Sequence, residues 1–148
     1  MIIHKILYFK GVHEYYVFVF AIEDLEIWQK ARELCKLIYE TTNTELFKKE
    51  FKFRDQIQSS AGSVMDNIAE GFERDGRKEF IQFLSVAKGS CGETRSQCYR
   101  AFDSKLIPNE KLDELLGKTI YLSKKISTLI TYLKKSDIQG TKYLKPET

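Results

Sequence analysis

The chain has 148 residues, 43% of them hydrophobic and 30% charged, and this composition excludes both a disordered chain and a membrane-spanning one. Its length supplies one domain with a sizeable core, and its formal net charge of +3 permits nucleic-acid binding without requiring it. The three cysteines are odd in number and lack the C-x-x-C spacing of a metal site. We therefore predict buried, reduced thiols, with no disulfide framework and no bound metal.

Residues 1–22 differ from the rest of the chain. They are rich in aromatic residues, contain both histidines, His4 and His13, and show no helical period. The apolar run at residues 15–22 is too short to span a bilayer, and no signal-peptide cleavage site follows it. We predict an N-terminal extension outside the folded domain, either strand-like or disordered, in a cytoplasmic protein without membrane contact.

Four amphipathic helices follow, because apolar residues recur at steps of three and four. The first begins after Asp24, a suitable N-cap, and the second runs unbroken from about residue 44 to residue 74. The third extends from Gly76 to Asp103, and the fourth lies between Pro108 and Ser136. Their predicted core stripes are Leu25, Trp28, Ala31, Cys35 and Ile38; Ile57, Ala61, Met65, Ile68 and Phe72; Phe80, Leu84, Ala87, Cys91, Thr94 and Cys98; and Leu112, Leu115, Thr119, Leu122, Ile126, Leu129 and Leu133.

Four such helices with short connections predict an all-α fold, an up-down-up-down antiparallel four-helix bundle. The bundle is expected to occupy residues 23–136, followed by a mobile tail at residues 137–148. The sequence contains no internal repeat, no low-complexity segment and no second domain.

Glycines inside the second and third predicted helices need a structural reason. Glycine costs about 1 kcal/mol relative to alanine in a helix interior. Gly89 and Gly92 let another backbone approach closely, and Gly62 is the corresponding small residue of the second helix. Two interpretations stay open, namely tight packing within the bundle and a subunit interface built from these two helices.

Polar residues beside these glycines extend the same surface. An unsatisfied buried amide or carboxylate costs a few kcal/mol, so polar groups that enter an interface should pair. Asn67, Glu70 and Glu93 are expected to pair with one another or with Gln56 and Ser90, unless they remain solvated. The predicted interface or polar network comprises Gln56, Gly62, Asn67, Glu70, Gly89, Gly92 and Glu93.

Basic residues align in two places. Arg77, Lys88 and Arg95 are spaced by eleven and seven residues, which returns them to one side of the third helix, with Tyr99 one turn further. A second group of basic residues lies at the start of the second helix. Such groups can neutralise phosphates, although scattered cations more often form a solvated face. The candidate nucleic-acid contacts are Arg77, Lys88, Arg95, Tyr99, Lys48, Lys49, Lys52 and Arg54.

The sequence gives little support for an enzymatic site. A di-iron bundle needs Glu-x-x-His pairs, and both histidines lie outside the predicted helices. A serine or cysteine nucleophile lacks a base, and no glycine-rich phosphate loop is present. A site made only of the carboxylates of Asp66, Glu70 and Glu93 is the remaining enzymatic alternative. We predict a non-catalytic protein without a cofactor.

Three segments resemble a known family. Residues 24–40, 56–74 and 78–97 contain the run NIAEGFER at residues 67–74, then KEF and the pattern GS-x-x-E at residues 89–93. This combination resembles the bacterial four-helix-bundle proteins called 23S rRNA intervening-sequence proteins, or the S23 family, over about residues 23–135. The resemblance implies a small bundle that assembles as a homopentameric ring and has no enzymatic activity.

A related branch of that family consists of the accessory proteins of diversity-generating retroelements. These partner a reverse transcriptase and bind nucleic acid through basic residues. The resemblance therefore implies a homopentamer that binds RNA, another nucleic acid or a nucleic-acid enzyme, and the alternative is a protein-interaction scaffold without nucleic-acid binding. This chain differs from many members in having Ser59 and Ser60 where they carry arginine, and Gly76 where serine is common.

Overall fold

The structure, a computed structural model, describes the backbone of residues 5–10, 14–19, 21–74 and 76–135, and the side chains of residues 21–74 and 76–135. Strands β1 (Lys5–Lys10) and β2 (Glu14–Val19) pair antiparallel on either side of Gly11, where short strands were one expectation. Both histidines and the predicted tail at residues 137–148 lie outside the described residues.

Among the described residues, five helices follow a 3-10 turn at Ile22–Asp24. They are α1 (Glu26–Thr42), α2 (Glu45–Lys49), α3 (Phe51–Glu73), α4 (Arg77–Asp103) and α5 (Asn109–Lys135). The four long helices pack as a helical bundle, which confirms the predicted helical class. Within residues 21–135, no helix combines the length and the apolar character needed to cross a membrane.

Each long helix contacts two others around one core. α3 packs against α1 and α4, and α5 packs against α4 and α1. At the end of α1, Thr42 Oγ1 accepts a hydrogen bond from Gln58 Nε2 near the start of α3, at 2.8 Å. At the start of α1, Glu26 Oε1 accepts one from the Tyr121 hydroxyl of α5, at 2.5 Å. Hydrogen bonds thus join α1 to its neighbours at both ends.

The predicted core stripes of α4 and α5 are buried throughout. In α1 and α3 the exceptions are Cys35 and Met65, which are only half-buried because they lie at the edge of their stripes. All three cysteines are free, as predicted. Burial raises the pKa of Cys35 and Cys91 to about 11 and that of Cys98 to about 12, so the thiols stay protonated at neutral pH.

The second predicted helix is not continuous, and that prediction is wrong. Glu50 has φ −99° and ψ 49°, which ends α2 and starts α3 in a new direction. Phe47 is fully buried and its ring stacks on Phe53, with centroids 5.8 Å apart. Six residues along one unbroken helix rotate a side chain by about 240°. The break at Glu50 therefore lets the half-buried Phe53 ring pack against the buried Phe47 ring.

The start of α1 also differs from the prediction. Asp24 does not cap the helix, because its carboxylate accepts a hydrogen bond from the Ala21 amide, at 3.0 Å, inside the 3-10 turn. Leu25 occupies the N-cap position and is buried. By contrast, Gly76 caps α4 as predicted, with the Glu79 side chain folded back towards it.

Candidate interaction surface on α3 and α4

Buried polar side chains connect α3 to α4. Ser60 and Gln97 are each 5% exposed, and Ser60 Oγ donates to Gln97 Oε1 at 2.5 Å. Ser60 Oγ also lies 2.9 Å from the Thr94 hydroxyl, which donates to the Ser90 carbonyl at 2.9 Å. Gln97 Nε2 donates to Glu93 Oε1 at 3.3 Å. The buried hydroxyls and amide are thus linked to a carboxylate at the surface.

The same line of polar contacts continues along α3. The hydroxyls of Ser63 and Ser90 are 3.0 Å apart, and Asn67 Nδ2 donates to the Ser63 carbonyl at 2.7 Å. We call this set the polar seam, and its members are Ser60, Ser63, Asn67, Ser90, Glu93, Thr94 and Gln97.

The partners in the seam differ from those predicted. Asn67 does not pair with Glu70 or Glu93, because Ser63 lies one turn away on the same helix. Glu70 instead forms an ion pair with Arg74, also one turn away, with Nη2 to Oε1 at 2.8 Å. Both side chains therefore find their partners one turn away within α3.

An open groove of about 490 Å³ runs beside the seam. Its floor includes Ser60 and Gln97, and the cations of Lys52 and Arg100 stand on opposite helices. The Arg100 guanidinium lies over the Phe53 ring, 4.5 Å from its centroid, a cation–π arrangement. We call this feature the α3–α4 groove, and it is lined by Lys52, Asp55, Gln56, Ser59, Ser60, Ser63, Glu93, Gln97 and Arg100.

The basic residues predicted on α4 lie at the surface. Lys88 and Arg95 are exposed, and Arg77 is half-buried. Tyr99 is 49% exposed one turn beyond Arg95. Burial raises the pKa of the Cys91 thiol, and the charges of Arg95 and Lys88 both oppose that rise. Seven residues make nearly two full turns of a helix, so Lys88 and Arg95 lie on the same side of α4.

The second basic group divides between α2 and α3. Lys48 pairs with Glu45 at 2.8 Å, and Lys49 is exposed beside it. Arg54 Nη2 lies 3.3 Å from Asp55 Oδ1. Exposed pairs of this kind contribute little free energy of folding and exchange readily with another anion. Of the predicted cations in this group, Lys52 is the one that lines the α3–α4 groove.

The predicted interface glycines face open space within the chain. A β-carbon built at Gly62, Gly89 or Gly92 meets no atom within 4 Å. Tight packing inside the bundle is therefore not the reason for these glycines. Gly71 is the contrasting case, since a β-carbon there would lie 2.5 Å from Phe83 Cβ.

The three carboxylates of the enzymatic alternative are engaged separately. Glu70 bonds Arg74, and Glu93 bonds Gln97. Asp66 is exposed, and its charge adds to burial in raising the pKa of Cys35. Among the side chains of residues 21–74 and 76–135, no group of three or more His, Cys, Asp or Glu could hold a metal ion.

Gln97 and Arg100 are the site residues that sequence reasoning missed. Together with Glu93 they recur at steps of four and three, which is a polar stripe beside the apolar stripe of α4. The stripe was visible in the sequence. The burial of Gln97 was not, because it depends on the position of α3.

Four long helices around one core, joined by a polar seam, define this chain as a helical-bundle protein. It belongs to the family of 23S rRNA-intervening sequence proteins, whose model matches residues 23–128, and the suspected resemblance is confirmed. A crystal structure of a protein of unknown function from the S23 ribosomal protein family of Bacteroides thetaiotaomicron has the same fold, with a TM-score of 0.65. The two chains are 24% identical, over 70% of this chain and 97% of that one. Among curated proteins, none matches this chain significantly.

Proposed function

We propose that this chain forms a non-catalytic, up-down-up-down antiparallel four-helix bundle that assembles as a homopentamer in the cytoplasm. The assembly binds RNA or another nucleic acid, or an enzyme that acts on nucleic acid such as a reverse transcriptase. Membership of the intervening-sequence family supports this proposal. The alternative is a protein-interaction scaffold without nucleic-acid affinity.

Open glycines on α3 and α4 are the observation that carries the assembly proposal. Gly62, Gly89 and Gly92 each weaken their helix by about 1 kcal/mol relative to alanine. Apart from the adjoining backbone of the same helix, no atom of the described residues lies within 4 Å of the β-carbon position at any of them. A second copy packed closely against these positions supplies the reason that the single chain lacks.

Exposed cations on α4 support nucleic-acid binding. Lys88 and Arg95 lie on one side of the helix with the exposed ring of Tyr99 beside them. A five-fold ring repeats this patch five times around its axis. Each phosphate that a cation neutralises steepens the salt dependence of binding to single strands by a slope of about 0.7.

The assembly is tested with Gly89→Leu and Gly92→Leu, measured by light scattering and native mass spectrometry. Both should dissociate the oligomer while leaving the monomer folded, since leucine is the better helix former and meets no atom within 4 Å of its β-carbon. Gly117→Leu on α5 is the matched control, because its β-carbon position is equally open. If Gly89→Leu and Gly92→Leu both keep the oligomer of the unmodified chain, or if Gly117→Leu dissociates it as well, the proposed interface is wrong.

RNA binding is tested by titration with single-stranded RNA at several salt concentrations. Replacing Arg77, Lys88 and Arg95 together by alanine should weaken binding and flatten the salt dependence, with the oligomer unchanged. The matched control replaces three other exposed lysines, Lys36, Lys124 and Lys134. If the unmodified chain has no salt-dependent RNA affinity, the scaffold alternative is correct. If the triple variant keeps the full slope, the cations of α2 and early α3 become the candidates.

A further inference from the structure

The α3–α4 groove has the dimensions of a small-ligand site. Its volume of about 490 Å³ lies within the range of roughly 300–1,000 Å³ that ligand pockets occupy. Two polar side chains at its floor, Ser60 and Gln97, are 95% removed from solvent. Hydrogen bonds to each other hold them in place, so the floor is preorganised.

The floor and one wall of the groove offer both a hydrogen-bond donor and a hydrogen-bond acceptor. Gln97 Oε1 accepts from Ser60, which orients the amide so that Nε2 points to Glu93. The amide nitrogen carries two hydrogens, and among the described residues one of them is engaged, by Glu93. The exposed Glu93 carboxylate accepts further hydrogen bonds. A planar ligand that both donates and accepts is complementary to this pair.

The groove has one cation on each of its two helices. Lys52 and Arg100 belong to opposite helices, and the Phe53 ring holds the Arg100 guanidinium at 4.5 Å. Asp55 is paired with Arg54, at 3.3 Å, and Glu93 with Gln97, at 3.3 Å. Because the lining contains two cations, the groove suits the single charge of a phosphodiester better than the several charges of a triphosphate.

We propose that the α3–α4 groove binds one unstacked nucleotide of single-stranded RNA, with its base against Gln97 and Glu93 and its phosphate between Lys52 and Arg100. This inference rests on the RNA binding proposed above and assigns it a base-reading subsite. Carboxylates accept from the exocyclic amino groups of cytosine, adenine and guanine. Uracil has no exocyclic amino group, and its single imide N–H lies between two carbonyl oxygens that repel the charge of Glu93. The groove therefore discriminates against uridine.

The first experiment titrates the full chain with CMP, AMP, GMP and UMP, followed by calorimetry or by chemical shifts. The three nucleotides with an amino group should bind about tenfold more tightly than UMP. Glu93→Gln should remove this preference, and Lys52→Gln should weaken all four nucleotides similarly. Glu40→Gln and Lys124→Gln are the matched controls, since both residues are exposed and lie outside the groove. Equal affinity for all four nucleotides, or none for any, overturns the proposal.

A second experiment tests whether the groove is accessible in the assembled protein. Ser59→Cys places a thiol on the exposed groove wall, and its maleimide labelling is compared with that of the unmodified chain, where Cys91 and Cys98 are buried and Cys35 is half-buried. Rapid labelling that CMP slows supports the proposal. A thiol that is unreactive in the oligomer and reactive after dissociation by Gly89→Leu overturns it, because a second copy then covers the groove.

The two proposals can fail separately. RNA binding that is salt-dependent but unaffected by Glu93→Gln or by competing CMP overturns the groove proposal and leaves the proposed function standing. Binding of CMP without any affinity for RNA supports the groove as a nucleotide site and overturns the proposed RNA binding.

Discussion

Ser60 of α3 and Gln97 of α4 share a buried hydrogen bond of 2.5 Å, although 37 residues separate them in the chain. Ser60→Ala leaves the Gln97 carbonyl oxygen without its donor, which should lower the free energy of unfolding by about 1–3 kcal/mol. Gln97→Leu should cost less, because Ser60 keeps the Thr94 hydroxyl at 2.9 Å. The double variant should lose less than the sum of the two.

Urea unfolding of the two single variants and the double variant measures this coupling. Ser85→Ala is the control, since Ser85 is exposed on α4 and bonds only within its own helix, to the Ile81 carbonyl at 2.9 Å. It should change stability by no more than about 0.5 kcal/mol. Strictly additive losses at Ser60 and Gln97 would mean that the bond contributes nothing beyond its separate partners.

Gly71 is the glycine on which the contact of α3 with α4 depends. A β-carbon at this position would lie 2.5 Å from Phe83 Cβ and 3.1 Å from Phe80 Cδ2. Gly71→Ala should therefore destabilise the fold by about 1–3 kcal/mol, despite the higher helix propensity of alanine. Gly117→Ala, where the added β-carbon meets nothing, should stabilise by up to about 1 kcal/mol. Thermal unfolding distinguishes the two, and equal shifts in Tm would contradict the close approach.

Lys105 ends α4 in a left-handed conformation, with φ 58°. The Leu106 amide bonds the Ala101 carbonyl and the Lys105 amide bonds the Phe102 carbonyl, both at 2.9 Å, which is a Schellman motif. Lys105→Gly should raise the free energy of unfolding by about 0.5–1 kcal/mol, because glycine adopts this conformation without a steric cost.

Lys105→Ala separates this backbone effect from the loss of charge. Alanine removes the ammonium group but retains a β-carbon, so it should give no comparable gain. Denaturant unfolding of both variants is the measurement. A gain of the same size in Lys105→Ala would assign the effect to charge instead of backbone conformation.

Glu26 ties α1 to α5 and makes stability depend on pH. The hydrogen bond from the Tyr121 hydroxyl, with the nearby Lys125 cation, lowers the pKa of this carboxyl against the opposing effect of burial. A lowered folded-state pKa contributes stability above the unfolded-state pKa, and that contribution disappears as pH falls through the folded-state value. Because Glu26 and Lys125 are largely solvated, this contribution to the free energy of unfolding should stay below about 1 kcal/mol.

Glu26→Gln tests this pH dependence. The variant should be less stable than the unmodified chain at pH 7, and the difference should shrink as the pH is lowered through the titration range of the carboxyl. Glu40→Gln, at an exposed position of the same helix, serves as the control. A stability difference that stays constant from pH 7 to acid would assign the effect to packing and not to charge.

Local patterns in the sequence were sufficient to place α4 and α5. The apolar stripe from Phe80 to Cys98 has the period of an α-helix, and Gly76 and Pro108 mark where α4 begins and where α5 follows. Those signals act between residues a few positions apart, so they can be read without knowing the fold. The same reasoning correctly predicted that the stripes of both helices are buried.

Prediction from local sequence patterns failed where a local signal was weaker than a contact between distant residues. Nothing in residues 44–74 breaks the helical period at Glu50 strongly enough to predict a turn there. The turn allows the buried Phe47 ring to stack on Phe53. This contact forms only once the core is assembled. Similarly, Asp24 has the side chain of a helix cap, but it accepts its hydrogen bond inside the preceding turn.

The residue types of the interaction surface could be predicted from the sequence, whereas the role of each residue depended on packing. Gly71 of α3 and Gly89 of α4 are both glycines inside a helix, yet Gly71 lies against Phe83 and Gly89 faces open space. Gln97 belongs to a polar stripe like many others, and it is buried because α3 brings Ser60 against it. Helical period follows from backbone geometry that each residue carries with it. Which face of a helix meets another, and which stays free for a partner, follows from the free energy of packing the whole chain.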